Sequence, residues 1–193
     1  DIDFRDITIA GAAAPVSGTR LGDCKGNSGI TFPAAKTVYK VSGSNINSTN
    51  GWATSSGGTG ATNNFPLAQD TAVWDTGFPN SSDNISVNYN IGTIDMSART
   101  SNTMTLATGS QTPTIYGNWI NGTGTTLSGT GTLTFAGRGS QTITSAGKTF
   151  TQPVTINTPG GSVTLQDAFT TNRGVSGGDL VLTNGTFSDG GYN

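Results

Sequence analysis

The chain contains no histidine and no glutamate, and Cys24 is the single cysteine among its 193 residues. These absences exclude a Ser-His-Asp triad, a Cys-His dyad and an H-E-x-x-H zinc site within the chain. An internal disulfide is excluded as well, because it needs two cysteines. Lys25 follows Cys24 and a neighbouring cation lowers a thiol pKa, but without a histidine as base partner we interpret Cys24 as an incidental thiol.

Charge and long apolar runs are also scarce. Only 10% of the residues are charged and the net charge is −2, with the nine Lys and Arg residues scattered along the chain. A nucleic-acid surface needs clustered basic residues, so the sequence predicts no nucleic-acid partner. No run of about 18 or more apolar residues occurs, so the sequence predicts no membrane insertion.

Small residues, most of them polar, dominate the composition, since 99 of the 193 residues are Thr, Ser, Gly or Asn. All eleven acidic residues are aspartates, which together with Gly and Asn favour tight turns rather than helices. Thr, Val and Ile alternate as in strands, and the low charge argues against disorder. We therefore predict an all-β fold whose apolar content of 32% fills only a thin core.

A short extended phrase returns at nearly regular intervals in the last two-thirds of the chain. Residues 132–135 (TLTF) recur as 154–157 (VTIN) and as 180–183 (LVLT), and each is followed by a second short phrase. Within that second phrase Ile143, Leu165 and Phe187 are equally spaced. This period predicts a β-solenoid, a right-handed parallel β-helix, in which these three residues align along the axis.

Fainter repeats extend the same pattern upstream. The interval from Ile94 to Ile115 equals the interval from Leu106 to Leu127, and both are close to the downstream period. Short strands between Gly, Asn, Ser and Pro turns would give each coil two or three strands. We expect outward threonines to stack on threonines one coil away, and asparagines at the turns to form side-chain ladders.

Three regions differ in composition. Residues 1–36 mix a strand with a small-residue stretch and a glycine-rich loop, and we predict an irregular N-terminal attachment or capping segment. Residues 37–84 hold a strand followed by a loop rich in Gly, Ser and Trp. Residues 85–193 form the solenoid coils, and the strand-like end of the sequence predicts that the coils continue beyond residue 193.

Two tryptophans in the second region are the candidate contact residues. Trp52 and Trp74 flank a long Gly- and Ser-rich stretch, and two exposed indoles would make a stacking platform for carbohydrate or a protein partner. The alternative is that both indoles cover the first solenoid coil as aromatic lids.

Aspartates are the remaining candidates for chemistry. Asp70 and Asp75, close together in the sequence, are the nearest approach to a glycosidase carboxylate pair, although an aspartate at the position of Asp70 commonly caps a turn. Asp1, Asp3 and Asp6 offer oxygen ligands for calcium without the usual glycine-turned loop. We assign no catalytic residue, no metal and no cofactor.

Two further sequence patterns carry no functional assignment. The run Gly57-Gly58-Thr59-Gly60 lacks the Lys and the helix of a phosphate loop. N-x-S/T sequons begin at Asn47, Asn80, Asn84, Asn121 and Asn184.

Several short motifs stand out along residues 37–193: 38–43 (VYKVSG), 51–58 (GWATSSGG) and 65–73 (FPLAQDTAV), and the repeats 127–135 (LSGTGTLTF) and 182–187 (LTNGTF). With these motifs, most of residues 37–193 resemble a family of tail and surface proteins of aquatic bacteriophages. In that family a Trp-containing glycine-rich loop leads through a Pro and an Asp into a long β-solenoid. Adhesins of the bacterial autotransporter type share these motifs.

The resemblance implies a structural virion protein, a tail fibre or tailspike fragment for host attachment, and it carries over no catalytic residue. We expect it on the virion surface, joined to other virion proteins through the N-terminal segment, as a homotrimer that contacts a host surface glycan or receptor. One alternative is the passenger domain of an adhesin on the bacterial cell surface. A second alternative is a polysaccharide-degrading spike that uses paired aspartates.

Overall fold

The chain is built almost wholly from β-strands, as the composition predicts. The computed structural model describes residues 1–79, 82–172 and 179–192, and in these ranges it has no α-helix and one 3-10 turn, Gly11–Ala13. No helix in the described part of the chain is long and apolar enough to cross a membrane.

Four short strands lie in the N-terminal segment, and the other strands follow it. The four are β1 (Ile2–Phe4), β2 (Val16–Ser17), β3 (Leu21–Asp23) and β4 (Ile30–Thr31). The others in chain order are β5 (Thr37–Lys40), β6 (Trp52–Ala53), β7 (Thr71–Val73), β8 (Ser82–Asn84), β9 (Asn90–Ile91), β10 (Thr93–Asp95), β11 (Met104–Ala107), β12 (Thr114–Ile115), β13 (Trp119–Ile120), β14 (Thr125–Ser128), β15 (Leu133–Phe135), β16 (Ser140–Thr144), β17 (Thr149–Phe150), β18 (Val154–Leu165), β19 (Thr170–Thr171) and β20 (Leu180–Ser188).

Parallel pairing of these strands produces a β-solenoid of about eight turns with three faces, which confirms the predicted fold class. Face A stacks β5, β7, β10, β13, β16 and the second half of β18. Face B stacks β8, β11 and β14, with β17 and β19 farther along. Face C stacks β9, β12, β15 and the first half of β18. β20 pairs with both halves of β18 and forms the last rung.

One column of inward side chains shows how the lumen is filled. On face A, main-chain pairing aligns six buried residues along the axis. They are Val38, Ala72, Ile94, Trp119, Ile143 and Leu165. Because strand side chains alternate between faces, each short strand needs only one or two apolar residues to contribute to this core. This explains how a chain with 32% apolar residues fills a continuous lumen.

The predicted repeats are confirmed in part. Leu106 pairs with Leu127 on face B, and Ile143 pairs with Leu165 on face A, as the spacings predict. Phe187 pairs with Val163 and not with Leu165, because register shifts near Asn157 displace β20 relative to β18. That part of the predicted alignment is therefore wrong.

The upstream interval from Ile94 to Ile115 does not join two stacked residues. Ile94 lies on face A opposite Ala72 and Trp119, whereas Ile115 lies on face C opposite Ile91 and Phe135. Because the coils vary in length, two buried residues on different faces can be separated by the same number of residues as two that stack on one face. Spacing alone therefore does not assign a residue to a face.

Outward threonines stack from coil to coil, as expected. Thr105 pairs with Thr126 on face B, while Thr114, Thr134 and Thr155 form a ladder on face C. Several asparagines differ from the expectation, because their side-chain amides bind the main chain of the next coil. The Asn118 side-chain carbonyl oxygen, for example, accepts a hydrogen bond from the Thr142 N–H at 2.9 Å.

Glycine is required where the chain turns from face C to face A. A Cβ at Gly117 would lie 2.6 Å from the Thr93 nitrogen and 2.7 Å from the Gly92 carbonyl carbon of the preceding coil. The same main chain is linked by a hydrogen bond from the Gly117 N–H to the Gly92 carbonyl, at 3.1 Å. At this corner two coils approach too closely for any side chain.

The solenoid begins at residue 37, earlier than the predicted boundary at residue 85. β5 already pairs in parallel with β7, which pairs with β10. The other edge of β5 is occupied by β6, which runs antiparallel and belongs to the loop between β5 and β7. An antiparallel strand on the first rung ends the parallel stack, so this loop closes the N-terminal end of the lumen.

Residues 1–36 form a segment along the side of the solenoid, which we call the brace. Its strands pair with one another in parallel, β1 with β3 and β2 with β4. The brace contacts successive coils, through hydrogen bonds from the Gln69 amide to the Leu21 carbonyl and from the Asn90 amide to Asp3, and through the Arg138–Asp6 ion pair. The prediction of a segment that caps the lumen is therefore corrected, since the brace packs laterally.

Candidate functional site

The two candidate tryptophans lie inside the first coils. Trp52 and Trp74 both have no exposed surface, and their rings meet edge to face with centroids 5.0 Å apart. The Trp52 Nε1–H donates to the Ile46 carbonyl at 2.5 Å. The proposed exposed platform for carbohydrate or a partner is thus wrong, because neither indole has a face open to solvent, and the aromatic-lid alternative describes their position.

A buried ion pair lies against these indoles. Lys40 Nζ is 3.2 Å from Asp83 Oδ2, both side chains are fully buried, and Asp83 also accepts a hydrogen bond of 2.7 Å from Trp74 Nε1. Lys40 lies over the Trp52 ring, 5.2 Å from its centroid, and donates to the Asn45 carbonyl. Burial raises the pKa of Asp83 and lowers the pKa of Lys40, although each charge opposes the shift of the other. Desolvation therefore outweighs the attraction within the pair.

This arrangement is structural. Every polar atom of Asp83 and Lys40 faces protein, and aromatic rings close the space around them, so no substrate reaches the pair. No local signal in the sequence linked Lys40 with Asp83, because the two residues lie far apart in the chain.

The aspartates considered for catalysis are engaged with the main chain. Asp70 is almost fully buried and accepts hydrogen bonds from the Lys36 and Leu67 N–H groups, which confirms its role as a turn cap. Asp75 is also buried and accepts from the Gly77 N–H at 2.8 Å. The two carboxylates lie on either side of β7 and are not presented to a common open site, so the paired-carboxylate hypothesis has no geometric support.

The N-terminal aspartates do not converge on a calcium site either. Asp1 pairs with Arg20, Asp3 accepts from the Asn90 amide at 2.8 Å, and Asp6 pairs with Arg138. In the described residues no group of three or more acidic or cysteine side chains is arranged to hold a metal. Asp3 and Asp6 instead attach the brace to the solenoid, and Asp1 forms its ion pair within the brace.

Cys24 lies in the interface between brace and solenoid. It is buried with Ala68, Tyr116 and Ala136 in a small apolar cluster. Burial raises the pKa of the Cys24 thiol to about 12, partly opposed by a hydrogen bond with Tyr116. A protonated, buried thiol is a poor nucleophile, which agrees with its interpretation as an incidental cysteine.

Alkylation of Cys24 should accordingly be slow in the folded protein. At pH 8 we expect iodoacetamide to modify it at least about a hundredfold more slowly than a free thiol of ordinary pKa, because almost no thiolate is present. Mass spectrometry of timed samples measures the rate, with protein in concentrated guanidinium chloride as the control. Equal rates in folded and unfolded protein would contradict the buried position.

The other sequence features are on turns or strands. The glycine-rich run ends a turn in which the Gly58 N–H donates to the Ser55 carbonyl, and it packs against Gly77. Among the sequons Asn47 and Asn184 are exposed, Asn84 is half-buried and Asn121 is buried, while Asn80 lies outside the described residues.

Two surface clefts remain as candidate sites, and sequence reasoning indicated neither. A cleft of about 460 Å³ lies between the brace and the solenoid, where Lys25, Tyr116 and Arg138 line it. A groove of about 360 Å³ lies at the corner between faces B and C, and the residues lining it are Asn45, Asn84, Ile85, Ser86, Ala107, Thr108, Gly109, Ser110 and Gln111. We call the second one the polar groove. Its residues come from three coils, so no local motif predicts it.

No family model, no curated protein and no solved structure matches this chain.

Proposed function

We propose that the chain is a structural virion protein, a shaft segment of a bacteriophage tail fibre or tailspike that takes part in host attachment. The observation that carries the proposal is the unbroken parallel stacking from β5 to β20, with one end of the stack closed by an antiparallel strand and one side supported by the brace. Such a stack makes a stiff, elongated element, because each coil is hydrogen-bonded to its neighbours.

The surface chemistry supports a role outside the cell. With 10% charged residues and outward ladders of threonine, the solenoid depends little on ion pairs that salt would screen. Its one cysteine is buried and makes no disulfide, so its fold does not depend on the redox state of the surroundings. The resemblance of residues 37–193 to aquatic phage tail and surface proteins supplies the specific assignment.

The brace supports the proposed attachment to other virion proteins. Ile2 and Ile7 are exposed on it, at 58% and 41%, in a segment held to the solenoid by the ion pair at Arg138 and stiffened by the one at Arg20. The proposal assigns these two exposed apolar side chains to the surface through which the brace contacts other virion proteins. The proposal includes assembly as a homotrimer, to be checked by the mass measured in light scattering.

Labelling with an antibody raised against this chain tests the proposal. In electron micrographs of the culture that produces the protein, we expect gold particles on phage tails or capsids and not on cell envelopes. An excess of purified protein should also reduce phage adsorption to host cells. Gold confined to the bacterial surface would overturn the proposal in favour of the adhesin alternative, and gold on neither structure would overturn both.

A further inference from the structure

The polar groove differs from the cleft beside the brace in that no charged side chain lines it. It is formed where β8 and β11 end and the chain turns toward face C. Asn45, Ser86, Ser110 and Gln111 line its walls and carry amide or hydroxyl groups, and the half-buried Ala107 contributes apolar surface. The cleft beside the brace is instead lined by Lys25 and Arg138.

Main-chain hydrogen bonds hold the walls of the groove in place. The Ile85 N–H donates to the Ala107 carbonyl at 2.8 Å, and the Ile46 N–H donates to the Asn84 carbonyl at 2.9 Å. The turn at the far wall is closed by the Gln111 N–H, which donates to the Thr108 carbonyl at 2.9 Å. A groove built on paired strands keeps its shape before a ligand arrives, which lowers the entropic cost of binding.

Several side chains at the walls keep their hydrogen-bonding capacity. Asn84 and Thr108 are used within the protein, with the Asn84 amide donating to the Ser44 carbonyl and the Thr108 hydroxyl accepting from Gln152. Asn45, Ser110 and Gln111 also line the groove, and their side chains form no hydrogen bond with another described residue. Amides and hydroxyls that both donate and accept match the hydroxyl groups of a sugar.

Along the solenoid axis, the surface beyond the groove also lacks charged side chains. Ala107 pairs with Ser128 on the next coil, and beside this pair Thr105 stacks on Thr126. These outward positions of face B have neither charge nor aromatic rings, and the brace lies at the opposite corner, between faces C and A. A polymer that leaves the groove along face B therefore meets further hydroxyl groups at intervals of one coil, about 4.8 Å.

We propose that the polar groove is a binding site for a neutral oligosaccharide, with the sugar chain continuing along face B. This inference rests on the proposed function, for which it names the attachment ligand. A neutral sugar fits because no cation lines the groove to pair with a uronate, sialate or phosphate, and because its hydroxyls find both donors and acceptors. Without an aromatic platform each site binds weakly, and attachment gains strength from several copies on one particle.

Binding of the purified full chain to an array of neutral and acidic oligosaccharides tests the inference. We expect retention of neutral sugars and none of the acidic ones. Gln111→Ala, and Ser110→Trp as a variant that fills the groove, should each weaken binding of the retained sugar at least tenfold in titration calorimetry. Gln166→Ala is the matched control, since Gln166 is an exposed glutamine after the last residue of β18, and it should leave binding unchanged.

Thermal unfolding of each variant shows whether the fold is kept. Retention of acidic sugars alone, or equal binding by the wild-type and groove variants, would overturn the inference. If labelled protein binds host cells and neither groove variant reduces that binding, the groove is wrong while host attachment stands. If neutral sugars bind through the groove while the antibody labels neither virions nor cells, the groove stands and the proposed function fails.

Discussion

Asp83→Ala is expected to destabilise the protein by about 3–5 kcal/mol, because it leaves a buried ammonium group without its counter-ion. Lys40 has no exposed surface and pairs with Asp83 at 3.2 Å. The same substitution removes the acceptor of the Trp74 indole N–H. Since these groups lie under the loop that closes the first coil, we expect the N-terminal end of the solenoid to unfold first. The midpoint of unfolding in guanidinium chloride measures the loss.

The double variant Lys40→Met/Asp83→Leu separates the charge from the packing. Burial shifts the pKa of both groups toward their neutral forms, so their attraction does not repay the cost of desolvation. We therefore expect the double variant to be more stable than Asp83→Ala alone. A double variant much less stable than the wild type would show that the ion pair itself stabilises the first coil, contrary to this argument.

Trp119→Ala is expected to cost about 3–5 kcal/mol, the range for loss of a large buried aromatic side chain. Trp119 lies in the middle of the face A column, between Ile94 and Ile143. Its ring contacts Phe150, with centroids 5.7 Å apart, and its Nε1–H donates to Asn121 at 2.9 Å. The cavity would interrupt the lumen between coils on both sides, and thermal unfolding should show a lower Tm.

Thr126→Ala is the matched control for that prediction. Thr126 is an exposed residue in the middle of β14 and points away from the lumen. Surface substitutions of this kind usually change stability by less than about 0.5 kcal/mol. A loss of stability in Thr126→Ala as large as in Trp119→Ala would mean that the outward ladders hold the coils together as strongly as the lumen does.

The repeat was readable in the sequence because strand residues alternate and parallel stacking places like residues on like. Leu106 with Leu127 and Thr134 with Thr155 follow that rule directly. The rule fails for Ile94 and Ile115, which lie on different faces, because coil length varies and both faces carry similar apolar residues. The displacement of Phe187 arises from register shifts near Asn157, which depend on pairing with β18 and leave no local signal.

The candidate residues were predicted less well than the fold. A tryptophan beside a glycine-rich loop suits an exposed platform and a buried lid equally, and only packing against Ile46 and Trp74 placed Trp52 inside. The polar groove was invisible because its lining joins three coils, from Asn45 to Gln111, through ordinary Asn, Ser and Thr residues. Such residues form a candidate site only because the fold brings them together around one groove.

The sequence by itself determined that the chain is all-β, that its coils repeat at nearly regular intervals and that it carries little charge, because these follow from local alternation, turn residues and composition. The tertiary structure alone decided that residues 1–36 brace the side of the solenoid, that the loop after β5 closes its end, and which corner holds a groove. Those outcomes depend on contacts between residues far apart in the chain, and the free energies of such contacts cannot be predicted from local sequence patterns.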